Sequence, residues 1–476
     1  MGKENIKTLF LILLVVTSIV LTKQLWVEVP YRLFPSFIEK NSNENVKYNY
    51  ILEDIITPEK YLVSFGNNYT MLYSGESDDL WNEMKKVLKT VLGSSNVRLK
   101  KISSKEFLDY KIKRSASFYF SLNISTHIFT KVLDVNPKVP IYDNLTYIKS
   151  IHFYLDKEPF LVLSNGQSYF KLDNLNIDIT AIDKLHKTIE EEDYTKYYSL
   201  KEIWGIDNDI YIPLTIKYNL PDIYVKSEIN TNDDSRVESI ARLFFGDELD
   251  YARKIIESNG SIIYLYNQKG LKISEDGILE YFDSIDEPIV DRNLYLSLNT
   301  AVNFITKHIG WPKDAYLSSI KEIEYDKNKG YQFSFTYKIN GVPVVPNNEK
   351  IKSSIKIEVF NEYVKSYVRY IRDIDIPRSV SISINKAMSP KDVIEKNLEL
   401  IKQDYIINNN LENTKVENYE ILASINEISL KYYDPSSKKS GEELIPVWEI
   451  NINGVEYLFN IYNGNVVNGG GIFGKE

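Results

Sequence analysis

Residues that could carry out chemistry are few. The chain holds four histidines, His127, His152, His186 and His308. None is paired at metal-ligand spacing, and no H-E-x-x-H occurs. Cysteine is absent, which excludes disulfides and thiolate chemistry. His308 lies before Pro312 and beside Trp311, at the C-terminus of a predicted helix, where a structural role and a favourable interaction with the helix dipole are expected. No G-x-S-x-G elbow, S-x-x-K box or P-loop is present. Gly469, Gly470, Gly471 and Gly474 precede no helix, so they read as a frayed tail and not as a phosphate cradle. The acidic run Glu190, Glu191, Glu192, Asp193 lacks the D-x-D-x-D-G pattern of a calcium loop and reads as a solvated face. The sequons at Asn68, Asn123, Asn144 and Asn259 matter only in a glycosylating host. The residues therefore point to no catalytic, cofactor-binding or metal-binding site, to no cofactor, and to a protein that is not an enzyme. A pair of carboxylates dispersed along the chain would escape this reading.

The elements around these residues point to a large folded body. At 476 residues, with 43% hydrophobic and 26% charged residues, the chain can build about three domains at ~150 residues each. Its 36 tyrosines, many in alternating patterns, favour β-structure with one half-wet face. The net charge of −9 offers no electrostatic footprint for nucleic acid, so proteins are the expected partners.

The N-terminus reads as an anchor. Residues 6–26 hold L-F-L-I-L-L-V-V and a further apolar stretch, enough to cross ~30 Å of hydrocarbon. Lys3 and Lys7 place the N-terminus in the cytoplasm and the body outside the cell membrane. Lys23 can snorkel, and Trp26 and Tyr31 suit the interface. A cleaved signal peptide is the competing reading, but Thr22, Lys23 and Gln24 offer no small-x-small site. Within the span Thr8, Leu11, Val15, Ser18, Thr22 and Leu25 recur at three- and four-residue steps, a heptad-like seam for a partner helix.

The expected fold class is α+β: one N-terminal transmembrane helix and a multi-domain extracytoplasmic body. A juxtamembrane linker covers 27–50. An N-terminal α+β domain covers 51–205, with a hairpin around Gly66, Asn67 and Asn68 and a helix from Asp78 carrying Leu80, Met84, Val87, Leu88 and Val91 to Gly93. A second hairpin joins Ile151–Leu155 to Phe160–Leu163. A central domain covers 206–297: a helix through Val237, Ile240, Leu243 and Phe244 to Tyr251, Ile255 and Ile256, then a meander turning at Lys269-Gly270 and Asp276-Gly277. A C-terminal domain, 298–476, holds two more helix-plus-meander units, led by helices Leu298–Ile309 and Pro390–Ile406. The period of roughly 80–90 residues suggests duplication.

Several stretches resemble the YycH (WalH) family. The start E-N-I-K-T with an apolar run and L-T-x-x-L-W is similar to that family's N-terminus, although L-T-K-Q-L-W places a lysine in the exit segment. L-F-F-G-D-E-L-D-Y-A-R-K-I-I-E-S-N-G-S-I-I-Y, T-A-V-N-F-I-T-K-H-I-G-W-P, I-N-G-V-P-V, I-K-I-E-V and L-I-P-V-W-E-I follow in order, the strongest between Arg242 and Val359. The resemblance implies a membrane-anchored accessory regulator of the WalK/WalR (YycG/YycF) two-component system. It implies action with a YycI-like protein on the sensor histidine kinase WalK, partly through transmembrane helices, and so on cell-wall metabolism. It implies a C-terminal part similar to YycI and PepSY-like modules, and brings no catalytic residues. Whether regulation inhibits or activates stays open, as does homo-oligomerisation.

Two other readings stand beside it. One is a wall-associated hydrolase with dispersed carboxylates, which two facing carboxylates in a cleft would favour. The other is a PepSY-like inhibitor or scaffold of a protease.

Overall fold

The computed structural model describes residues 52–73, 78–216, 220–285, 288–347, 353–375, 386–411, 416–437 and 439–469. The predicted span 6–26, its seam from Thr8 to Leu25 and the linker lie outside them. Among the described residues no helix is long and apolar enough to cross a membrane.

The fold is α+β. A nine-stranded sheet comes first, built from β1 (Lys60–Phe65), β2 (Tyr69–Tyr73), β3 (Arg98–Ile102), β4 (Arg114–Ser125), β5 (Tyr147–Tyr154), β6 (Phe160–Ser164), β7 (Tyr169–Asp173), β8 (Tyr197–Ser199) and β9 (Tyr211–Pro213). Its order is β3-β7-β6-β5-β4-β1-β2-β8-β9. Helix Asp78–Leu92 covers one face, because Leu80, Trp81, Met84, Val87, Leu88 and Val91 recur at helical spacing and are all buried. Trp81 meets Phe118 and Phe120, alternate residues of β4, at 5.4 and 5.6 Å between ring centroids.

The larger sheet has thirteen strands. It joins β11 (Arg253–Ile256), β12 (Ile262–Tyr266), β13 (Lys269–Ile273), β14 (Leu279–Phe282), β15 (Ala315–Tyr325), β16 (Asn328–Ile339), β17 (Val342–Pro346), β18 (Ile355–Phe360), β19 (Tyr363–Arg369), β21 (Ile425–Asp434), β23 (Ile445–Ile452), β24 (Val455–Asn460) and β25 (Val466–Gly469). A small third sheet has β10 (Tyr224–Ser227) between β20 (Arg372–Ile374) and β22 (Ser440–Glu443). The helices Asp234–Phe245, Leu294–His308 and Pro390–Asn408 each precede a run of these strands. Pairing is continuous through residues 205–206, where β9 joins β8, and through 297–298, where β14 joins β19. Residues 50–476 form one compact unit.

Several local expectations need correction. The amphipathic helix ends at Phe245, not beyond Tyr251, because Gly246 adopts φ 55° and ψ −132°. Ile255 and Ile256 then pair with Ile263 and Ile262 as β11, where β-branched side chains fit. The first meander turn falls at Asn267, with φ 51°, and not at Lys269-Gly270. Gly270 lies inside β13, directly opposite Phe282, and a Cβ there would sit 2.2 Å from the Phe282 ring. The glycine serves a close cross-strand approach. The helix expected from Leu298 starts at Leu294, capped by Asn293, whose side chain accepts the Leu296 N–H at 3.0 Å. Gly469 pairs with Tyr457 in β25 and is no frayed residue. The tyrosines do not keep to half-wet faces: Tyr61, Tyr154, Tyr367, Tyr370, Tyr432 and Tyr457 are fully buried.

Candidate functional site at the junction of the two large sheets

Strand alternation builds a charged junction inside this body. On β21, Ile428, Leu430 and Tyr432 point into the hydrophobic core, so Glu427, Ser429 and Lys431 share the opposite face. Glu449 of β23 stands directly across from Ser429 and accepts its hydroxyl at 3.0 Å. On β1, Tyr61 and Val63 join the core of the first sheet, which turns Lys60 the other way.

The two strands meet through these side chains. Lys60 Nζ reaches Glu427 Oε1 at 2.9 Å and donates to the Ile428 carbonyl at 3.1 Å. Lys431 pairs with Glu59 and lies 3.5 Å from Glu449. The Tyr73 hydroxyl at the end of β2 accepts the Leu430 N–H at 3.2 Å. Lys338 of β16 donates to the Pro58 carbonyl at 2.9 Å, and Leu317 N–H donates to the Ile55 carbonyl at 3.0 Å. The residues leading into β1 are thus stitched to three strands of the larger sheet.

Burial opposes the Lys60 ammonium, but Glu427, Glu59 and Tyr73 outweigh it and hold its pKa above the usual lysine value. Lys431 behaves likewise: burial opposes its charge, and Glu449 and Glu59 more than offset that. The Lys60 charge holds Glu427 below the usual carboxyl range. Glu449 is pushed up, first by burial, with Lys431 pulling the other way.

A cleft of about 840 Å³ opens beside this junction, with Tyr73 and Lys338 in its wall. Glu228, Asp314, Asp373, Lys313, Arg369 and Arg372 also line it. Arg369 is 2% exposed and grips Glu228 with two bonds, Nε at 2.8 Å and a terminal nitrogen at 2.6 Å. Its remaining terminal nitrogen donates to the Gly310 carbonyl at 2.9 Å. Glu228 is therefore occupied as a salt-bridge partner. Asp373 at the rim is pushed above the usual carboxyl range, by desolvation first and by the Glu228 charge second.

The histidines lie elsewhere. His152 is buried in β5, with its Nε2 2.8 Å from the Ser150 hydroxyl and its Nδ1 2.9 Å from that of Ser117. Nearby, Lys111 pairs with Asp209 at 2.6 Å. His186 donates from Nε2 to the Ser64 carbonyl at 2.9 Å, and its Nδ1 accepts from Arg114 at 3.0 Å. That same Arg114 clasps Glu190 at 3.0 and 2.7 Å, so the acidic run is not wholly a solvated face. His127 stacks on Tyr142 at 4.0 Å. His308 ends its helix, donates from Nδ1 to the Phe304 carbonyl at 2.7 Å and stacks on that ring at 3.8 Å. Burial holds it toward the neutral form, so the expected attraction of a charged imidazole to the helix dipole is outweighed. Among the described residues no group of His, Cys, Asp or Glu could hold a metal ion.

None of the junction residues was singled out by motif. A signal did exist: Glu427 and Lys431 are charged residues at same-face positions of an apolar strand, I-N-E-I-S-L-K-Y-Y. Their partners Lys60 and Glu59 lie too far away in sequence to be matched without the fold.

The class of protein defined here is a large α+β body whose two main sheets are clamped by buried ion pairs beside a polar cleft. Residues 4–191 match the family described as YycH protein, N-terminal domain. The match falls on the N-terminal part, which holds the E-N-I-K-T start and the L-T-K-Q-L-W segment, and not on the stretch from Arg242 to Val359. The structure is similar to the crystal structure of YycH from Bacillus subtilis, with a TM-score of 0.51 and 15% identity, covering 88% of this chain and 97% of that one. At that identity the likeness is one of fold. An uncharacterized protein from Eubacterium rectale aligns at 16% identity over 53% of this chain and 87% of its own, TM-score 0.36. The Bacillus megaterium YpeB C-terminal domain aligns at 13% over 50% of this chain and 96% of its own, TM-score 0.26. Neither score supports a fold assignment. No curated protein matches the chain.

Proposed function

We propose that this chain is a non-enzymatic regulator of the sensor histidine kinase WalK (YycG), anchored in the cell membrane and acting with a YycI-like protein. The observation that carries this reading is the match of residues 4–191 to the YycH N-terminal domain. The apolar stretch 6–26 would be the anchor, with the body outside the cell. Thr8, Leu11, Val15, Ser18, Thr22 and Leu25 would form the seam that meets a partner helix, since hydroxyl and small side chains allow close packing in lipid. The three helix-plus-strand runs of the C-terminal half would descend from a duplicated PepSY-like unit. The clamped sheets suit a body that presents a fixed surface, because buried ion pairs resist relative sliding. Replacing Ser18 and Thr22 together with Leu should weaken co-purification with the kinase from native membranes and alter signalling. The same change at Thr17 should do little. Equal effects at both places, or none, would move the contact to the extracytoplasmic body. Failure to recover the kinase with the unaltered chain would refute the regulator reading itself.

A further inference from the structure

The structure assigns a second surface, independent of the proposed regulatory role: we propose that β3 docks an extended acidic segment of another protein by strand addition. β3 is the outer strand of the nine-stranded sheet, paired on one side to β7. Its outer backbone N–H and C=O groups are a template for a further strand. The five-residue strand reads R-L-K-K-I, and Arg98, Lys100 and Lys101 are all exposed. Among the described residues none of the three forms an ion pair.

The neighbouring strand adds to the positive charge. Lys100 stands directly opposite Lys171, a like-charge pair that costs stability unless an anion lies near it. Lys171 itself rests over the Phe160 and Tyr110 rings, at 4.3 and 5.2 Å. Asp173, opposite Arg98, is the one carboxylate in this ladder. Such a basic edge is unexpected on a chain whose net charge is −9.

Geometry decides the kind of partner. Arg98 and Lys100 point to one face of the sheet and Lys101 to the other, because side chains alternate along a strand. A flat anionic membrane could meet only one of these faces. An added strand with acidic side chains on both faces meets all three cations while its backbone pairs with the edge. Other edges lack this combination: β9 ends in Pro213 and is buried, and Lys254 on β11 lies 3.7 Å from Asp234.

The common reason for edge lysines is to repel other strands. That role and docking part company in experiment. Full-length protein in detergent micelles would be titrated with a fluorescent Glu-Glu-Val-Glu-Glu-Val-Glu peptide, which as a strand carries acidic side chains on both faces, the same peptide N-methylated at alternate residues, and phosphatidylglycerol vesicles. The proposal expects the plain peptide to bind, with affinity falling as salt rises. It expects N-methylation to abolish binding, and Lys100→Glu with Lys101→Glu to weaken it by about tenfold or more. No binding of the plain peptide would leave a merely protective edge and overturn the proposal. So would equal binding of the N-methylated peptide, which needs no change to the protein and is unaffected by any folding defect of the variant. Vesicle binding that depends on Lys100 and Lys101 without peptide binding would reassign the surface to membrane contact.

Discussion

Lys60 and Glu427 stand 367 positions apart in the chain and 2.9 Å apart in the fold. The pair closes the body, because its first strand is held by one of its last. Lys60 is nearly buried, its side chain 10% exposed, whereas the Glu427 side chain is 37% exposed, so the pair falls between a surface and a buried salt bridge. Glu427→Gln should therefore cost about 1–2 kcal/mol by leaving Lys60 poorly compensated. Glu449, whose charge is opposed by burial, behaves differently: Glu449→Gln should lie within about 0.5 kcal/mol of the parent or be stabilising. Denaturant unfolding of both variants checks this, and equal losses would refute the assignment.

The junction also has a pH window. Glu427 has a depressed pKa, so its contribution is complete above the free carboxyl value of 4.5 and is lost as pH falls below it. Lys60 and Lys431 have raised values, so theirs is present below 10.5 and fades only above it. Glu427→Gln should flatten the acid limb of stability against pH and, because the Glu427 charge is the largest of those that raise Lys60, also reduce the part of the alkaline limb that Lys60 supplies.

His152, His186 and His308 are all held below 6.5, burial being the largest cause in each case. A depressed histidine favours the fold while it is neutral, and that favour is lost as pH drops below the free value of 6.5. Stability should decline from pH 7 toward pH 5, before the carboxylates titrate. Proton NMR of the imidazoles should show these three titrating below the free value of 6.5. Replacing His186 with Gln should reduce the decline.

Gly270, Gly277 and Gly330 should rank by what an added Cβ meets. At Gly277 the Ile229 carbonyl would lie at 2.6 Å and φ is 86°, and at Gly330 the Val359 carbonyl would lie at 2.5 Å. Backbone cannot move aside, so alanine at either should cost about 2 kcal/mol or more. At Gly270 the obstacle is the Phe282 ring, 49% exposed and able to swing out. Alanine there should cost about 1 kcal/mol, relieved by Phe282→Ala. A larger loss at Gly270 than at Gly277 would contradict the ranking.

The topology proposed for the chain is open to a direct check. A reporter fused after Glu476 should be active only outside the cell, and the mature N-terminus should lie within the first few residues. A mature chain beginning near Gln24 would turn the anchor into a signal peptide.

Local pattern alone determined much of this protein. The hairpin Lys60–Tyr73, the helix from Asp78, the hairpin around Lys157 and the helix from Pro390 follow from period-two and period-3.6 spacing, turn residues and caps, all of which act over a few positions. Lack of cysteine and of metal-spaced histidine likewise needed no fold. Only the tertiary structure decided that β9 extends the first sheet, that β14 pairs with β19, and that Lys60 and Lys431 find Glu427 and Glu59. Strand pairing and ion pairing depend on which surfaces meet, and every strand offers the same backbone groups to many partners. Gly270 shows the same limit at short range: as a Lys-Gly pair it resembled a turn, and only Phe282 across the ladder reveals why the glycine is there.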